Sequence, residues 1–243
     1  MSENKKIALV TGANKGIGFE AARQLAKQGI TVLLGARNAE RGEKAAAKLR
    51  GENLDAHFIH LDIQDAATHQ AAAQVIEEKF GKLDILVNNA GIALDAGEKP
   101  SEVSQDLLRK TFDTNFFGTI AVTQAFLPLV KKSNAGRIVN VSSGLGSLTQ
   151  NSDPNWEFYE AKPLAYNASK TALNAFTVIL AHELKDTAIK VNSADPGFTA
   201  TDLNGHQGYK TVEQGASIIT DLAILPANGA TGSYFDDQGV LPW

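Results

Sequence analysis

No cysteine occurs in the chain, so a disulfide framework, a thiolate nucleophile and a cysteine-ligated metal are all excluded. The five histidines are scattered. His57 and His60 stand three apart in a stretch that reads as a strand, which sends them to opposite faces, and His69, His182 and His206 add no ligand spacing. No metal site is expected. No apolar run reaches the ~20 residues of a membrane-spanning helix, and there is no internal repeat or low-complexity tract. Basic charge is not in excess either. With 23 Lys and Arg against 27 Asp and Glu, the formal net charge is −4, which supplies no electrostatic footprint for nucleic acid or an anionic membrane. Met1–Lys6 is too short and polar to open a signal peptide, so a cytoplasmic protein is the default expectation. The 243 residues, 43% apolar and 21% charged, suit one globular domain spanning 1–243.

What is present is an alternation of short apolar runs and helical patterns. Lys6–Thr11 stops at Gly12-Ala13-Asn14-Lys15-Gly16-Ile17-Gly18, and Phe19–Gln28 follows at helical spacing as far as Gly29. Strand, glycine turn and helix in that order let backbone N–H groups and a helix N-terminus face an anion such as a pyrophosphate. The spacing is Gly-x3-Gly-x-Gly rather than the commoner Gly-x-Gly-x2-Gly, but the flanking strand and helix supply the context such a motif requires. Further strands are read at Thr31–Ala36, Ala56–Ile63, Leu83–Val87, Arg137–Ser143, Ile189–Ala194 and Gly232–Asp236. Helices are read at Ala39–Leu49, Ala66–Phe80, Ser101–Val130 and Thr211–Leu225. This order predicts an α/β fold with a Rossmann-type, doubly wound parallel sheet flanked by helices.

In a dinucleotide fold the end of the second strand selects the cofactor, and an acidic residue there would accept hydrogen bonds from the adenosine ribose. Here Ala36 and Arg37 stand instead. A guanidinium clamps a 2′-phosphate bidentately, and Lys15 can approach the same group as a point charge, so both residues point to NADP. The alternative is that they are solvated surface cations. Arg41 is a further candidate contact. Asp62, at the end of the third strand, either bonds an adenine amino group or caps the next helix. In Asn88-Asn89-Ala90-Gly91 small groups admit a cofactor close to backbone, although Asn89 could equally stabilise the strand end. Asn115 falls mid-way along the long helical stretch, where its amide is mildly unfavourable, so function or a local kink is expected.

Tyr166-Asn167-Ala168-Ser169-Lys170 places a phenol and an ammonium on one helix face. A tyrosine of ordinary pKa, about 10, is a poor proton carrier at neutral pH unless a cation such as Lys170 favours the phenolate. Ser142 and Ser143 end the fifth strand at the carboxyl edge of the sheet, where open α/β folds bind ligands. Gly12–Gly18, Asn88–Gly91, Asn115, Ser143, Tyr166 and Lys170, in this order, closely resemble the short-chain dehydrogenase/reductase family from Lys6 to about Leu203.

The resemblance implies seven parallel strands in the order 3-2-1-4-5-6-7, with catalysis by Asn115, Ser143, Tyr166 and Lys170. Tyr166 would be the proton donor and Ser143, the second serine of its pair, would bond the reacting oxygen. Lys170 would hold the nicotinamide ribose and lower the Tyr166 pKa, and Asn115 would hold a water that resupplies protons. Gly12, Asn14, Lys15, Gly16, Ile17, Gly18, Arg37, Asp62, Ile63, Asn89, Ala90, Gly91, Pro196, Gly197, Thr199 and Thr201 are the implied cofactor contacts, together with Tyr166 and Lys170. The stretches Thr11–Glu20 and Asp195–Asp202 look most like the carbonyl-reductase branch, which reduces ketones and aldehydes with NADPH. An alcohol dehydrogenase working oxidatively and a non-catalytic NADP-sensing regulator are the alternatives. A small-molecule carbonyl substrate is expected, in a monomer or small homo-oligomer.

The pattern departs from the family at one place. Ser143 and Tyr166 stand 23 positions apart, longer than usual in the wider family and shorter than in animal carbonyl reductases. The excess, around 147–164, carries Trp156, Phe158 and Tyr159, which either form a partial lid over the substrate or pack beside the long helices.

Overall fold

A computed structural model describes residues 5–243, so the reading of Met1–Lys6 falls largely outside the described residues. The strands β1 (Ile7–Thr11), β2 (Thr31–Ala36), β3 (Ala56–His60), β4 (Ile85–Asn88), β5 (Arg137–Val141), β6 (Lys190–Ala194), β7 (Ser233–Asp236) and β8 (Gly239–Val240) form one sheet. Its order is β3-β2-β1-β4-β5-β6-β7-β8. The first seven strands pair in parallel as expected, and β8 adds a short antiparallel return on β7. Two residues long, β8 has no periodicity to read. It depends on a turn in which Asp236 accepts from Gln238 N and Gly239 N, with Gly239 at φ +138°.

Because side chains alternate across a strand, a parallel sheet covered on both faces must be apolar throughout. Ala8 and Val10 of β1 pack with α1 (Gly16–Lys27), α2 (Ala39–Gly51) and α8 (Val212–Ala223). Ile7 and Leu9 pack on the other face with α3 (Ala66–Phe80), α5 (Thr119–Val130) and α7 (Leu164–Glu183). Each fully buried aliphatic side chain contributes roughly 1.5–3 kcal/mol relative to exposure.

The stretch expected as one helix, Ser101–Val130, is divided. It begins as α4 (Gln105–Phe112), widens into a π-helical turn over Asp113–Gly118 and continues as α5. Here the rod runs hard against the end of β3: a side chain at Gly118 would lie 2.7 Å from Ile63 O. Such turns recur at functional sites, and this one carries Asn115. The segment 147–164 folds as α6 (Leu148–Ser152), reverses where Asn155 N donates to Asp153 Oδ1 at 2.9 Å, and leads into α7. Among the described residues no helix is long and apolar enough to cross a membrane.

Candidate active site

The sheet reverses its order between β1 and β4, and a cleft of about 1270 Å³ opens there at the carboxyl ends of the strands. Its floor is the glycine turn. Gly12 adopts φ +63° within contact of Ala90, and at Gly18 a side chain would meet the Asn89 amide at 2.3 Å, so neither position accepts a larger residue without rearrangement. Asn89 Nδ2 donates to Thr11 O at 2.9 Å, and Asn89 N to Thr11 Oγ1 at 2.9 Å. Asn89 therefore stabilises the strand ends and lines the cleft together with Ala90 and Gly91.

Asn14, Lys15, Gly16 and Ile17 line one side. The Lys15 ammonium is already held by Asp202, which His206 Nε2 also approaches at 2.8 Å. Arg37 is exposed at the cleft margin and pairs with no carboxylate among the described residues. Arg41 lies outside the lining. Asp62 and Ile63 form the far wall. The capping alternative for Asp62 does not hold: its carboxylate accepts from Gln64 N, whereas α3 is capped by Asp65, which accepts from Ala67 N at 2.9 Å. Pro196 and Thr201 close the cleft from the segment after β6. Thr199 is turned away from it. Buried, its hydroxyl donates to Pro196 O at 3.0 Å, and Gly197 likewise stands behind the lining.

The four residues expected to carry chemistry converge. Lys170 Nζ donates to Val141 O at 2.8 Å and sits 5.6 Å from the centre of the Tyr166 ring. The Tyr166 phenol lies near enough to the Ser143 hydroxyl for Ser143 to favour its phenolate, and Ser143 Oγ itself accepts from Leu145 N at 3.2 Å. Burial pushes the phenol up to about 12, against the pull of Ser143 and with a further push from Asp195. The same desolvation lowers the Lys170 ammonium to about 8. The net shift of Tyr166 is thus upward rather than the expected lowering, because removing a phenolate from water outweighs the pull of Ser143. Asn115 is tied to its surroundings through its side-chain amide. Its amide accepts from Ile92 N at 2.8 Å and donates to Ile92 O at 2.8 Å and to Ser169 Oγ at 3.0 Å, so it pins the loop after β4 to α7 and has protein partners at both ends.

One residue escaped the sequence reading. Asp95 is fully buried, and its carboxylate accepts from Ala165 N at 2.6 Å and Tyr166 N at 3.3 Å. Pro163, in the capping position of α7, makes no side-chain cap bond, and Asp95 performs that task from across the cleft. No local motif marks it.

The insert starts a row of rings whose first member, Trp156, lies beside Gly144, while none of the four lines the cleft. Trp156 meets Phe158 at 5.5 Å, Phe158 meets Phe198 at 5.6 Å and Phe198 meets Tyr209 at 6.0 Å, all edge to face. Tyr159 is not in the row but lies under the Lys162 ammonium at 4.3 Å. No cluster of metal-ligating side chains occurs among the described residues.

A doubly wound sheet whose glycine turn, β4 end and Tyr-Lys helix share one cleft is a Rossmann-type dinucleotide fold. The family model for short chain dehydrogenases matches residues 6–211, and the chain belongs to that family. It is 35% identical to (-)-isopiperitenone reductase of Mentha piperita, with 99% of each chain covered. It is 34% identical to carbonyl reductase [NADPH] 1 of Mus musculus, with 100% of each covered. The structure of NADPH-bound carbonyl reductase from chicken fatty liver superposes with a TM-score of 0.85 at 26% identity, covering 98% of this chain and 99% of that one.

Proposed function

We propose that the whole chain acts as one domain that reduces ketone or aldehyde carbonyls to alcohols with NADPH, with Tyr166 as proton donor. The observation that carries this reading is the buried Tyr166 phenol, near Ser143 and one helical turn from Lys170, with Tyr166 and Lys170 both lining the cleft. The family and the reductases it contains support the reaction class.

The residues present fit the cofactor. Glycines at positions 12 and 18 leave the backbone of the turn open where side chains would clash, and Arg37 offers a guanidinium beside the cleft with no carboxylate partner among the described residues. Arg37 and Lys15 would hold the 2′-phosphate, the glycine turn the pyrophosphate, and Lys170 the nicotinamide ribose. When bound, the reduced nicotinamide supplies the hydride. Tyr166 then gives its proton to the carbonyl oxygen, while the Ser143 hydroxyl bonds that oxygen as charge develops. A phenol held well above neutral pH is fully protonated, the state a donor needs. Lys170, charged at neutral pH, stabilises the phenolate left behind. Asn115 and Asp95 fix the two elements that meet at the phenol.

The test is a spectrophotometric panel that follows NADPH consumption over aldehydes, α-dicarbonyls, quinones, cyclic ketones and keto esters. Turnover of at least one class is expected, and silence across all of them contradicts the reading.

A further inference from the structure

Lys15 belongs to the glycine turn between β1 and α1, and Asp202 opens a short 3-10 turn, Asp202–Asn204, in the segment after β6. The fold brings them together. The Lys15 ammonium meets Asp202 Oδ2, and His206 Nε2 meets Asp202 Oδ1 at 2.8 Å. All three residues line the cleft. A side chain at Gly16 would lie 3.8 Å from Thr201 Cγ2, so the two segments run side by side at this point.

The partners differ in freedom. Asp202 sits on a braced turn: Thr201 N donates to Asn204 Oδ1 at 3.1 Å, Asn204 Nδ2 to Thr199 O at 2.8 Å, His206 N to Thr201 O at 2.9 Å and Ala200 N to Lys210 O at 2.9 Å. The Lys15 side chain is 62% exposed, and among the described residues Asp202 is its one carboxylate. A flexible four-carbon stem lets that ammonium swing, while the carboxylate stays where its turn holds it.

If Lys15 and Arg37 hold a 2′-phosphate as proposed, they start from different states. Arg37 has no carboxylate to leave among the described residues, whereas Lys15 must give up Asp202. We infer that Asp202 is a cofactor-selectivity residue, a competing anion that occupies Lys15 until a 2′-phosphate takes it and so tempers the preference for NADPH over NADH. This rests on the proposed phosphate role of Lys15 and adds the carboxylate that opposes it. A cofactor with a 2′-hydroxyl offers Lys15 no charge in exchange. The ion pair therefore stays intact with NADH, and its strength enters NADPH binding alone. Ion pairs this exposed correspond to roughly twofold to fivefold in an equilibrium constant, and salt weakens them.

The experiment titrates NADPH and NADH by fluorescence into wild type, Asp202→Asn, Lys15→Ala and the double variant, at low and high salt, with melting temperature as a check on the fold. Asp202→Ala is titrated beside Asp202→Asn, because the Asn amide oxygen can still accept from Lys15. Both replacements should tighten NADPH by roughly twofold to fivefold at low salt and leave NADH unchanged. The gain should shrink at high salt and in the Lys15→Ala background. A gain of the same size with and without Lys15 overturns the competition. So does an equal weakening of both cofactors, which would make the ion pair a structural clasp between the two segments. Lys15→Ala alone separates the two levels. If it weakens NADPH and NADH equally, the phosphate role of Lys15 falls and this inference with it. If it weakens NADPH selectively while both Asp202 variants bind NADPH as wild type does, the Asp202 role alone falls.

Discussion

Asp95 holds Tyr166 in place from 71 positions upstream, its buried carboxylate accepting the Tyr166 backbone N–H at 3.3 Å and that of Ala165 at 2.6 Å. Buried donors left without an acceptor are expensive, and the first turn of α7 has no cap of its own. Asp95→Ala should destabilise the protein by about 1–3 kcal/mol. Turnover should fall at least in step with that loss, with NADPH affinity changed only a few-fold. Thermal melting and steady-state kinetics check this, with Asp95→Asn giving a smaller loss of each. A melting temperature equal to wild type in the Ala variant would show that the cap contributes little.

Arg37 has no carboxylate partner among the described residues, whereas the Lys15 ammonium is shared with Asp202. Arg37→Ala should therefore weaken NADPH selectively by roughly tenfold or more, as expected for charge-assisted hydrogen bonds worth about 1.5–3 kcal/mol. NADH should be little affected. Lys15→Ala should weaken NADPH less than Arg37→Ala. Binding titrations with both cofactors decide the matter, and equal losses for NADPH and NADH would recast Arg37 as structural.

The ring row that joins the insert to the segment after β6 gives the lid reading a sharper form. Trp156→Ala and Phe158→Ala should cost a bulky cyclic ketone roughly 1.5–3 kcal/mol of binding and a small aldehyde much less. Tyr159→Ala, outside the row and under Lys162, should discriminate little between the two. KM values for both substrates on the three variants test this. Parallel losses on the two substrates contradict a lid.

The parts of the fold that were legible in the sequence are those with a strong local signal. β2 and α3 lie where apolar runs and spacing put them, and the strand–glycine–helix start and the Tyr-Lys helix follow from motifs that need no distant partner, whereas the strand order came with the family resemblance. What the sequence concealed depends on distant contacts. The π-helical turn at Asn115 looks like helix because the flanking α4 and α5 are helical on either side of it, and the approach of Ile63 and the Ile92 backbone accompanies the wider turn. Asp95 has no neighbouring motif. The rise of the Tyr166 pKa likewise comes from burial, which spacing along a helix does not reveal.

The account stands most directly on the proton of Tyr166. Tyr166→Phe removes one oxygen from a buried ring and leaves the cofactor cleft otherwise intact, so NADPH affinity and turnover of the best carbonyl substrate should be measured on the same preparation. The account predicts affinity within a few-fold of wild type and turnover reduced at least a hundredfold, roughly the contribution of general acid catalysis. A Phe variant that binds NADPH normally and keeps most of its rate would contradict it.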